Sequence, residues 1–179
     1  SDITGLWGLP NDQGVTSKFY LTTIDGIDTT ITFSSNTAGN LYAGVDAGNG
    51  IIGIIGGAGA IAGIESRASE FLTITLTPTT ASGITYTVNS GTIFGAGANA
   101  NAPEFAFTDV GNTTTYASAA VGATISSGLL AFSSAPSGLD SVSFTLRQTI
   151  QTADLTEGAF LSDFTVTAIP EPSTYALLA

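Results

Sequence analysis

The sequence predicts an all-β protein: a two-sheet β-sandwich of jelly-roll type, with an extended apolar N-terminal arm and a C-terminal tail. Three observations carry this. Apolar and polar residues alternate with a period of two through most of the chain, as in half-buried antiparallel strands. Gly, Pro, Asn, Asp or Ser punctuates nearly every gap between these runs. No stretch shows an apolar stripe at helical spacing over three turns.

The elements follow in order. Residues 1–10 form an arm with Ile3, Leu6, Trp7 and Leu9 as apolar anchors. Residues 11–169 form the sandwich, and 170–179 a separate tail. Within the sandwich, 15–24 and 29–34 read as strands flanking the turn Asp25-Gly26-Ile27-Asp28. Leu72, Ile74 and Leu76 alternate with Thr73, Thr75 and Thr77; Ile84, Tyr86 and Val88 alternate with Thr85, Thr87 and Asn89. Residues 104–108 and 128–133 are further strands, and Ala135-Pro136-Ser137-Gly138 reads as a turn. Val142, Phe144, Leu146 and Ile150 mark another strand, and 158–168 the last. The uncharged segment 47–64, AGNGIIGIIGGAGAIAGI, has the length of a membrane helix. Its glycines each cost about 1 kcal/mol relative to Ala in a helix. The expectation is closely packed backbone against a sheet or a neighbouring subunit.

Composition narrows the function. Charged residues make up 9% of the chain, where a soluble domain averages about 25%. The surface is therefore covered by hydroxyls and amides, as in extracellular β-proteins and self-packing subunits. Fourteen acids against Lys18, Arg67 and Arg147 leave a net charge of −11, which lacks the basic footprint that nucleic acid requires. Cys and His are absent, which removes the thiol nucleophile, the usual general base and most transition-metal ligands. Ser1 is the kind of residue that signal-peptidase trimming leaves, so export is expected.

Candidate sites remain open at this level. Asp25 and Asp28, sharing one turn, are candidate ligands of a structural calcium; Asp12 and Asp46 lie in comparable turns. Aspartate also favours turns for its own local hydrogen bonds. Glu65, Glu70, Glu104 and Glu157 supply the residue type for glycosidase chemistry, but nothing in their spacing pairs them, and no catalytic residue is assigned. Trp7, Tyr20, Tyr42, Tyr86 and Tyr116 are candidate sugar platforms, or else rim and core residues of the sandwich. Lys18 reads as a solvent-pointing strand residue, and Asn112-Thr113-Thr114 is a glycosylation sequon.

The final strand runs directly into Pro170-Glu171-Pro172-Ser173-Thr174. This stretch resembles the sorting tag of PEP-CTERM proteins, on the tripeptide, its position and its flanks; the resemblance covers residues 170–179. It implies export by a bacterium, association with exopolysaccharide and biofilm matrix, and an exosortase that processes the tag. In that family the tag continues into a membrane helix and a basic cluster, whereas Tyr175-Ala176-Leu177-Leu178-Ala179 follow Thr174 here without Lys or Arg.

The expectation is a non-enzymatic structural protein of the cell surface or extracellular matrix. Its partners would be other copies of itself, joined into filaments by strand addition through Ile3, Leu6, Trp7, Leu9 and Tyr175, Leu177, Leu178. The alternative is a monomeric exopolysaccharide-binding module. A hydrolase is a third class, requiring two carboxylates facing across a cleft.

Overall fold

The computed structural model describes residues 16–36, 40–46, 49–55, 71–94, 105–118, 127–148 and 160–172. Twelve strands occur among them: β1 (Ser17–Ile24), β2 (Ile27–Ser35), β3 (Asn40–Asp46), β4 (Asn49–Ile55), β5 (Phe71–Pro78), β6 (Ile84–Phe94), β7 (Phe105–Thr108), β8 (Thr115–Ser118), β9 (Ser127–Ala131), β10 (Ser137–Leu139), β11 (Val142–Gln148) and β12 (Phe160–Pro170). They form two antiparallel sheets. The first has the order β1-β2-β5-β11-β7-β8. The second runs β10-β6-β12-β4-β3, with β9 also paired to β6.

The alternation read from the sequence is the alternation of burial. Ile31 and Phe33, Leu72, Ile74 and Leu76, Val142, Phe144 and Leu146 line the inner face of the first sheet; Tyr86, Val88, Phe164 and Val166 answer from the second. Phe144 meets Phe164 across the gap edge to face, with ring centroids 5.6 Å apart. This is a β-sandwich, and burial of these faces is its main stabilising term. The pairings do not establish the jelly-roll arrangement expected above.

Threonine and serine fill the outer faces. Thr75 and Ser143 hydroxyls lie 2.8 Å apart across β5 and β11, and Ser90 and Thr165 2.6 Å apart across β6 and β12. Such cross-strand pairs satisfy one another, which is how a surface this poor in charge stays polar.

The turn at Asp25-Gly26 is a two-residue hairpin. Both residues have positive φ, 49° and 84°, as the twist of flanking strands favours, and Ile24 pairs with Ile27. Two expectations differ. Part of the glycine-rich segment forms β4, paired to β3 and, at Ile52, to Leu161 of β12; the remainder of 47–64 lies outside the described residues. No helix among the described residues is long and apolar enough to cross a membrane. The predicted turn at 135–138 is half strand: Ser137–Leu139 pairs with Leu139 opposite Thr85 on β6. The chain there passes so close to the Ser141 carbonyl that only glycine fits at Gly138.

Candidate functional site

Sheet edges are the chemically unfinished parts of a sandwich, because their outer N–H and C=O groups lack ladder partners. β1 ends the first sheet. Ser35 N–H donates to Thr16 O at 2.9 Å, which sets the phase of the ladder with β2. Residues 18, 20, 22 and 24 therefore bond to β2, and the backbone of Phe19 and Leu21 points outward, without a partner strand among the described residues. Their side chains are also exposed, at 63% and 62%. In register, Phe19 lies opposite Thr32 and Leu21 opposite Thr30, on the outer face.

The exit of β12 is treated differently. Glu171 N–H donates to Gly83 O at 2.7 Å, so Ile169 faces β6 and Ala168 faces away from it. Asp25 accepts that outward Ala168 N–H at 2.9 Å, and Pro170, also outward, has no N–H to offer. The Pro-Glu-Pro stretch thus begins inside the fold. Pro170 is the last strand residue, and the Glu171 carboxylate accepts from the Thr85 hydroxyl at 2.8 Å. Pro172 is exposed.

Asp25 and Asp28 are engaged separately. Asp28 accepts from the Thr23 hydroxyl at 3.0 Å while Asp25 reaches across to β12. No group of three acidic side chains able to hold a metal occurs among the described residues. A shallow recess of about 310 Å³ beside Asp28 is lined by Leu21, Thr22, Thr23 and Thr79.

The aromatic candidates sort by strand parity. Tyr86 is fully buried and Tyr20 nearly so, hence neither is a sugar platform. Tyr116 on β8 is half-buried and lines a second groove. Lys18 does not point simply to solvent: it is half-buried, its ammonium 5.7 Å from the Tyr20 ring centroid. Asn112 sits exposed in a left-handed turn, φ 57°. That turn is organised by Asp109, whose carboxylate accepts the N–H groups of Gly111, Thr113 and Thr114 and the Thr113 hydroxyl. The Thr114 N–H leads, with the Thr113 hydroxyl and the Thr113 and Gly111 N–H groups, in holding this carboxyl below the usual aspartate range.

The arm residues Ile3, Leu6, Trp7 and Leu9, the tail residues Tyr175, Leu177 and Leu178, all four candidate glycosidase glutamates and Asp12 lie outside the described residues, as do the side chains of Tyr42 and Asp46. Comparison with protein-family models, curated proteins and solved structures finds no match to this chain.

Proposed function

We propose that the protein is a non-enzymatic structural subunit of a bacterial cell surface or extracellular matrix that assembles with copies of itself by strand addition at β1. The observation that carries this is the contrast between the β1 edge and the end of β12 that runs beyond its pairing with β4. Natural sheets blunt their edges with charge, proline or a covering group. The exit of β12 has both a proline and an aspartate plug, whereas β1 carries the half-buried Lys18 and presents backbone beside Phe19 and Leu21 that has no partner strand among the described residues.

An incoming strand would gain main-chain hydrogen bonds from the outward groups of β1 and cover the two apolar side chains. The arm 1–10 and the tail 175–179 are the apolar segments suited to supply that strand, and a head-to-tail contact that does not close on itself gives a fibre. The tag-like stretch 170–179 supplies the exported setting, with an exosortase-type enzyme as processing partner. Calcium binding by Asp25 and Asp28 has no support beyond their shared turn.

Electron microscopy of the purified chain tests this. We expect filaments from the whole chain, and their loss on deleting 1–10 or 175–179. Filaments unchanged by both deletions would remove the termini as donors.

A further inference from the structure

The two sheets meet edge to edge at β8 and β9. Ser133, just after β9, fastens the head of this seam: its N–H and its hydroxyl both donate to the Tyr116 carbonyl, at 2.8 and 2.9 Å. β8 and β9 are not paired with one another, and a groove of about 370 Å³ lies between them, within the size range of small-ligand sites.

Tyr116 forms its aromatic wall. The ring lies within 22° of parallel to Phe132, centroids 6.0 Å apart. Phe132 rests in turn on Phe107 and Phe144 of the core, at 5.1 and 6.2 Å. The wall is therefore fixed by packing rather than free to rotate. Leu129, 69% exposed, stands on the β9 side. Within the described residues the hydroxyls of Thr115, Tyr116 and Ser118 have no hydrogen-bond partner, and no charged side chain lines the groove. Burial, then the nearby Asp109 charge, raises the Tyr116 phenol above its ordinary range, so it stays a neutral donor.

We propose that this groove binds a neutral sugar residue of a polysaccharide, stacked on Tyr116 and hydrogen-bonded by the surrounding hydroxyls. An aromatic face beside unpaired hydroxyls matches the alternating C–H and O–H character of a pyranose. The lining offers no cation, and a chain of net charge −11 repels anionic polymers, which selects against uronates. A neighbour's β-strand fits poorly. The Tyr116 carbonyl is already consumed by Ser133, and β8 has four residues opposite a register shift at Phe107/Thr108. This site is independent of the β1 edge.

Native gel electrophoresis through immobilised polysaccharide tests the proposal with the whole chain. Neutral glucans and xylans should retard it, and alginate should not. Tyr116→Ala should weaken retardation about tenfold and Tyr116→Phe about threefold. Because Tyr116→Ala also removes packing against Phe132, Leu129→Arg provides a second test, blocking the groove while leaving that stack in place. Melting temperatures of both variants establish that they are folded.

No retardation by any neutral glycan, equal retardation by alginate, or full binding by folded Leu129→Arg would each overturn the assignment. So would a synthetic peptide of residues 1–15 that binds with the same dependence on Tyr116, since the groove would then belong to a neighbouring copy.

Discussion

The Thr85 hydroxyl donates to the Glu171 carboxylate at 2.8 Å, tying the end of β12 to the start of β6, 86 residues earlier. Glu171 N–H reinforces the tie through Gly83 O. The motif that reads as a sorting tag is therefore partly a structural clasp. Its partial exposure keeps the energy modest: Glu171→Ala should cost about 1 kcal/mol, and Thr85→Val no more. In a double-mutant cycle the two losses should not add, because they remove the same bond. Full additivity in denaturant melts would contradict the clasp.

Thr29 and Tyr86 join the two sheets by a buried hydrogen bond of 2.9 Å. Thr29 already donates its hydroxyl proton to Ile27 O, so Tyr86 is the donor in this pair. The asymmetry gives an ordering. Thr29→Val strands a buried phenol O–H and should cost about 1–3 kcal/mol, more than the roughly 1 kcal/mol of Tyr86→Phe, which removes the donor itself. Urea unfolding of both variants checks the order, and a larger loss for Tyr86→Phe would refute the assignment of the donor.

Gly91 on β6 lies under the Phe107 ring of the opposite sheet. A β-carbon there would fall 2.7 Å from Cε2, inside contact distance. The ring is fully buried and cannot swing away cheaply. Gly91→Ala should destabilise by about 1–3 kcal/mol through overpacking. The compensating pair Gly91→Ala with Phe107→Leu should recover part of it; no recovery would mean that the strain lies elsewhere.

Acid should loosen the 109–114 turn. The Asp109 carboxyl is held below its ordinary range, so its stabilising contribution is complete above the unfolded-state value and disappears as pH falls through the folded one. Amide resonances of Gly111, Thr113 and Thr114 should shift together with a midpoint below that of an unstructured aspartate. Asp109→Asn should abolish this transition. An ordinary midpoint would show that the bonds do not form in solution.

Much of the sandwich was legible because its burial is periodic. Ile74, Tyr86 and Phe144 fall on the inner face for the same reason that they alternate with threonine or serine. β3 and β4 were not, since glycines such as Gly44 and Gly53 leave no side chain to carry the period. β8 and β10 are too short to show it, and Pro136-Ser137-Gly138 carries turn chemistry beside a strand. The edges were illegible in principle. Whether β1 is terminal or central depends on where β5 and β11 pair, and no local pattern records that. The sequence leaves Tyr86 and Tyr116 alike as sugar platform or sandwich residue; burial and strand order separate them.

The most direct test of self-assembly through β1 is electron microscopy of Leu21→Pro beside the unmodified chain. Leu21 points its N–H away from β2, so proline removes a hydrogen bond only from an added strand, as Pro170 does on β12. With circular dichroism and melting temperature confirming a folded sandwich, strand addition at β1 should give filaments from the unmodified chain and dispersed particles from Leu21→Pro. Filaments of equal length and number from both, or none from either, would contradict it.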